Sequence, residues 1–169
     1  MFSVESYINN PKCKIYKIDH DICKCFVNVN DHENILKIIK YLDLNYLSGA
    51  ILLKFYDETI LDFKHWDLID QLWSYMIDLI EETIITGQSE IYFPDQPIKL
   101  QVKSISEQYL VFSLTTSSCS KWTLPKKEFF IEILNGAECF FGKIFFYFNS
   151  ANSFEVELKK IYKLKCKII

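Results

Sequence analysis

The most constraining stretch of the sequence is residues 64–86, where Trp66, Ile69, Leu72, Trp73, Met76, Ile77, Ile80 and Ile84 recur at helical spacing. At about 100° per residue these side chains fall in one wide apolar stripe, which an amphipathic helix buries only by packing on a core. Gly87 follows directly and suits the left-handed residue that ends many helices. A helix from Lys64 to Thr86 is therefore expected, and the rest of the chain has to cover its stripe.

Material for that cover is present. Half of the 169 residues are hydrophobic, which is enough for one ordinary domain but not two. No repeat or linker-like stretch divides the chain, so a single domain over residues 1–169 is expected. Residues 13–18 and 22–29 read as a hairpin around Asp19-His20-Asp21. Residues 50–56 and 59–63 read as strands joined at Asp57-Glu58, and 98–105 and 109–115 as a further pair. Glu90–Phe93 leads into a turn at Pro94-Asp95-Gln96-Pro97. Asn30 or Asp31 can cap a short helix to about Leu42. Thr123 can cap a second long helix, with Pro125 in its first turn and apolar residues at helical spacing from Phe129 to Phe148. The last stretch has two readings. Asn152 with Glu155 resembles the capping box of a helix, whereas the alternation Phe154, Val156, Leu158 reads as a strand. Antiparallel strand groups with helices packed on them give an α+β fold.

Several chemistries are excluded. All 19 basic residues are Lys, so the chain has no guanidinium fork and no arginine finger for phosphoryl transfer in cis. There is no Gly-rich phosphate loop, His-Glu-x-x-His, nucleophile elbow or Cys-x-x-Cys. Cys13, His20, Cys23, Cys25 and His32 are residue types that bind zinc, but their spacing is poor for it. With Ile18 opposite Ile22, a hairpin puts Cys13, Ile15, Cys23, Cys25, Val27 and Val29 on one apolar face, where cysteine serves as a small buried hydrophobe. Cys119 reads as an exposed loop thiol, His65 as a surface or packing residue, and Tyr92-Phe93 as a plug under the following turn. No catalytic residue, cofactor or metal is expected.

The start, MFSVESYINNPK, lacks a secretory signal's basic and apolar regions, and no run of about 18 uncharged apolar residues occurs. The expectation is a cytoplasmic protein with reduced thiols and no membrane contact. A net charge of -3 argues against general nucleic-acid binding. That mild total hides a polarised chain: residues 31–98 carry four Lys against 13 acids, and residues 99–169 carry 11 Lys against six. On the central helix Asp67, Asp70, Asp78, Glu81 and Glu82 fall in one arc opposite the Trp-Ile stripe. Glu81 and Glu82 stand near the helix C-terminus, where the dipole disfavours negative charge. These five residues are the candidate surface for a basic protein partner, although such an arc also reads as a solvated face. The lysine-rich tail from Lys159 to Lys167 reads as an amphipathic last element that can pair with the acidic surface of the same molecule.

Three stretches, Ser48-Gly49-Ala50, Trp66-Asp67-Leu68-Ile69-Asp70-Gln71-Leu72-Trp73 and Tyr92-Phe93-Pro94-Asp95-Gln96-Pro97, resemble a pattern in small uncharacterised bacterial proteins. Some of these are similar to the immunity proteins of contact-dependent and polymorphic toxin systems. The resemblance implies a single-domain α+β protein that binds and neutralises a toxin. Many such toxins are basic nucleases, which an acidic helix face suits. It transfers no catalytic residue. The alternatives are a small structural protein, homo-oligomeric or not, and an enzyme with an aromatic-lined pocket.

Overall fold

The N-terminal segment Phe2–Asn9 buries Phe2, Ser6 and Ile8 on one face and forms the first strand, β1. In the computed structural model, which describes residues 1–13, 22–149 and 154–168, this strand is central to an antiparallel sheet. Its neighbours are β2 (Phe26–Asn28) on one side and β3 (Ser48–Phe55) on the other. Beyond β3 lie β4 (Glu58–Leu61) and the short β5 (Asp67–Leu68). Tyr56 turns the chain between β3 and β4 with φ of 53°.

The second sheet is an antiparallel meander of β6 (Gln88–Tyr92), β7 (Lys99–Ser104), β8 (Tyr109–Thr115) and β9 (Cys119–Pro125). Four α-helices complete the chain: α1 (His32–Ile38), α2 (Ile69–Thr86), α3 (Lys126–Phe148) and α4 (Glu155–Ile168). Helix α2 packs on β3, β6, β7 and α3, and α3 packs on β1 and on the β8–β9 hairpin. Helix α4 lies on α2 and α3. One core runs between the sheets and helices, with Trp73, Phe112, Phe129, Phe140 and Phe141 fully buried in it. The architecture is a single α+β domain.

The stripe on α2 organises this core. Trp73 is buried and its indole Nε1 donates to Ser6 Oγ of β1 at 3.0 Å, so its one polar atom is satisfied. Helix α3 crosses close to this ring through Gly136. A Cβ there would sit 2.6 Å from Val4 Cγ1 and 2.9 Å from Trp73 Cη2. Gly87 ends α2 with φ of 84°, the left-handed value expected of it, and donates its N–H to Thr83 O.

The structure corrects several expectations. Strand β1 takes the place that the sequence assigned to residues 13–18, most of which lie outside the described residues together with the turn at 19–21. Of the expected strand 22–29, Ile22–Cys25 is a 3₁₀ turn, and only Phe26–Asn28 extends, pairing with β1. Cys23 is exposed rather than buried, and Cys25 is joined to Cys13 in a disulfide, Cα atoms 5.4 Å apart, rather than being a reduced thiol. Helix α2 starts at Ile69, not Lys64, because Asp62 caps a separate 3₁₀ turn at Phe63–His65. Thr123 is no cap: it lies within β9, and Pro125 directly precedes α3. The last element is a helix, and Asn152 of the expected capping box lies outside the described residues. Of the pair under the proline turn, Phe93 is buried but Tyr92 is exposed.

Candidate functional site

The five carboxylates that the sequence groups into one arc stand in quite different places. Asp67 is not on the helix. It lies in β5, is 1% exposed, and accepts backbone N–H bonds from Leu68 at 2.7 Å, Asp95 at 3.1 Å and Gln96 at 2.9 Å. Gln96 Nε2 also donates to Trp66 O. This carboxylate therefore ties the Pro94–Pro97 turn of the second sheet to the chain entering α2. It serves the fold and offers no charge to a partner.

Asp70, in the first turn of α2, is partly buried, and burial raises its pKa above the ordinary carboxylate range. The N–H of Gln71 opposes that shift, and the negative charge of Glu157 on α4 adds to it. Glu157 in turn has little support. Its Oε1 is 3.5 Å from Ser74 Oγ, and its Oε2 is buried with no hydrogen-bond partner among the described residues. Ser74 joins the two residues across the α2–α4 contact, its Oγ 3.2 Å from Asp70 O and 3.5 Å from Glu157 Oε1.

One turn further along, the relation reverses. Lys160 Nζ lies 2.6 Å from Asp78 Oδ1 and 2.5 Å from Glu81 Oε2, a single ammonium between two carboxylates. Burial alone would lower the Lys160 pKa, but the two carboxylates outweigh it and hold it above its ordinary value. The hydrogen bond from Lys160 holds the Glu81 carboxyl below its usual range. On the other flank Lys165 Nζ meets Glu138 Oε2 of α3 at 2.6 Å. Between these ion pairs α4 inserts Ile161 and Leu164, both fully buried, while Phe154 packs its ring 4.9 Å from that of Phe141. Glu82 points elsewhere and accepts from Ser89 Oγ of β6.

The structure therefore brings Asp70, Asp78 and Glu81 to one surface, sets Asp67 and Glu82 apart from it, and fills that surface with the basic last helix. The pairing of the Lys159–Lys167 tail with the acidic surface, expected from the opposite charge of the two chain segments, is what Lys160, Ile161 and Leu164 make. Glu157 was missed, because a lone acid at the start of a basic segment gives no sign of what it packs against. Helix α4 has the composition of a surface ligand: Lys160, Lys163, Lys165 and Lys167 surround a narrow apolar seam.

The other features offer less. A cleft of about 630 Å³ lies where the α2 C-terminus, the β7–β8 turn, the start of α3 and the end of α4 meet. Lysines 126, 127 and 167 line it, with Glu107, and neither His nor Cys does. Ser106 Oγ there already accepts from the N–H groups of Gln108 and Tyr109, which makes it a turn residue rather than a nucleophile. On the solvent face of α3, Phe145 and Phe146 stand exposed beside Gly142 and Cys139. Asp62, the cap of the 3₁₀ turn, has its pKa lowered by the hydrogen bond with His65, whose ring nitrogen is 3.0 Å away. Among the described residues no three His, Cys, Asp or Glu side chains gather as metal ligands, and no helix is long and apolar enough to cross a membrane. Compared with protein-family models, curated proteins and solved structures, the chain matches none.

Proposed function

We propose that this chain is a protein-binding module of the immunity type, which neutralises a basic toxin-like protein through the acidic face of α2. The observation that carries the reading is the clamp of Asp78 and Glu81 on Lys160. It supports the reading because the face already accommodates a basic amphipathic segment, with charge and apolar contacts in register. Charges of this kind accelerate encounter more than they add affinity. Asp67 has no part in it, and Asp70 contributes from the floor of the surface rather than its rim.

The test has two stages. The chain is used as bait in an extract of its native host, and retained proteins are identified by mass spectrometry. Association rates with a retained basic protein are then measured over a salt series for the wild type and the Asp78→Asn, Glu81→Gln double variant. A several-fold slower association of the variant at low salt, fading as salt screens the field, is the expected result. Equal rates at low salt overturn the acidic-face reading.

A second reading, a homo-oligomeric structural protein, is favoured by the α3 surface, where Phe146 is 66% exposed beside Gly142. Sedimentation of the purified chain decides it. A monomer at all accessible concentrations removes this alternative.

A further inference from the structure

The acidic face of α2 and the adjoining surface of α3 form a seat for a helix. We infer that this seat is a docking site for a basic amphipathic helix of another protein, with α4 as its resident, imperfect occupant. The inference rests on the proposed binding function and names the kind of partner segment the surface takes.

Three observations on the seat define its ligand. Two apolar side chains three residues apart, Ile161 and Leu164, fill it. A lysine one residue before the first anchor is clamped by Asp78 and Glu81, and a lysine one residue after the second reaches Glu138. An apolar pair flanked by lysines at these positions is therefore what the surface selects. The fourth observation shows where the resident helix falls short. Three residues before Lys160 it places Glu157 against Ser74, one turn along α2 from Asp70, with one carboxylate oxygen buried and without a hydrogen-bond partner among the described residues. A carboxylate is the wrong group there. A ligand helix with lysine at that position offers Asp70 an opposite charge, removes the like-charge repulsion, and outcompetes α4 on that count. Ser74 Oγ stands between Asp70 O and Glu157 Oε1, and one turn along α4 is Lys160, which Asp78 and Glu81 already hold.

Competition by an intramolecular helix costs an incoming ligand the fraction of time the seat is filled. Loosening α4 should therefore raise the affinity for a peptide added in trans, and tightening α4 should lower it. The probe is a fluorescent peptide of the chain's own residues 154–168 carrying Cys166→Ser, alone or with Glu157→Lys. Its binding to the full chain is read by anisotropy, with the gain in far-UV helicity as a second readout, since so short a helix is marginal in water. The Glu157→Lys peptide should bind about tenfold tighter than the unmodified one. That preference should vanish on a chain carrying Asp70→Asn. A chain with Lys160→Glu should bind both peptides about tenfold tighter than wild type, and a chain with Glu157→Gln should bind both more weakly.

Absence of binding to a folded Lys160→Glu chain, or no preference for the Glu157→Lys peptide, overturns the inference. Should Lys160→Glu fail to fold, hydrogen exchange of the wild-type chain decides. Amides of α4 exchanging through a local opening, ahead of those in α2 and β8, support a releasable helix, and exchange only with global unfolding overturns it. A chain that takes the peptide but shows no salt-dependent association with a basic protein keeps the seat and loses the immunity-type reading. The reverse outcome loses only the seat.

Discussion

Replacing Asp67 and Asp78 separately by alanine discriminates between two carboxylates that look equivalent in the sequence. Asp67 is 1% exposed and accepts from the N–H groups of Leu68, Asp95 and Gln96, whereas the Asp78 side chain is 61% exposed and shares Lys160 with Glu81. Hydrogen bonds to an ionised acceptor contribute roughly 1.5–3 kcal/mol each, and a buried donor left without a partner costs about 1–3 kcal/mol. The sum is not reached here, because Asp95 is exposed and Gln96 half-exposed, so water takes over part of what the carboxylate held. About 3 kcal/mol is the expected loss for Asp67→Ala. Exposed ion pairs contribute about 0.2–1 kcal/mol, and Lys160 keeps its second carboxylate, so Asp78→Ala should lose less than about 1 kcal/mol. For a domain of this size the gap of about 2 kcal/mol corresponds to roughly 4–8 °C in melting temperature. Urea unfolding followed by tryptophan fluorescence and far-UV circular dichroism measures both variants, with unchanged slopes as the control for a common denatured state. Similar midpoints, or the greater loss in Asp78→Ala, would refute the assignment of Asp67 to the fold.

Trp73→Ala should cost about 3–5 kcal/mol, since it empties the centre of the core and strands Ser6 Oγ, and a nearly unchanged urea midpoint would contradict this. The pKa of Asp70 is raised, so the stability it lends is complete below the ordinary value of about 3.9 and is lost as pH rises through the raised one. Glu157→Gln takes away the like charge acting on Asp70 and supplies an amide donor, so this variant should exceed wild type by up to about 1 kcal/mol at pH 7 and converge with it towards pH 4. Urea midpoints across that range check the trend, and a variant no more stable at pH 7 contradicts it. Reducing the Cys13–Cys25 link, a sequence separation of 12, should cost about 2–3 kcal/mol. Thermal melts with and without reductant measure this, and Cys13→Ser should abolish the reductant's effect.

Long-period patterns were legible in the sequence. The apolar stripe marked α2 and its glycine stop, and the spacing from Phe129 to Phe148 marked α3, because a helix repeats its burial over several turns. The β7–β8 pair, Lys99–Ser104 and Tyr109–Thr115, was legible for the analogous reason in strands. What failed was short or depended on distant partners. β1 gives a weak alternation because Ser6 is buried to receive the Trp73 indole, a bond between residues 67 positions apart. Thr123 has the chemistry of a cap, but cross-strand pairing with Val111 keeps its backbone extended. Asp67 fits the helical arc by spacing alone. Its true role needs the Pro94–Pro97 turn, whose N–H groups lie 28 and 29 residues on.

The same limit applies to the acidic face, and here the mismatch is informative. The sequence shows Asp78 and Glu81 without lysines nearby on their own helix, and the fold supplies Lys160 from a helix 79 and 82 residues away. That pairing makes the α2–α4 contact locally consistent at its lower end. At its upper end it is inconsistent, because Glu157 packs against Ser74 with an oxygen that has no partner among the described residues, and its charge acts unfavourably on Asp70. A helix kept only for stability would gain from Gln or Lys at 157, either of which answers Asp70 without disturbing Ile161 or Leu164. Sequences that specify one structure tend to satisfy every level at once, and departures gather where function competes with stability. Glu157 lies at the α2–α4 contact, which has to open together with the α3–α4 contact if a partner helix is to take the seat. Removing that carboxylate should therefore strengthen the fold and weaken binding in trans together, a coupling that a purely structural α4 does not produce.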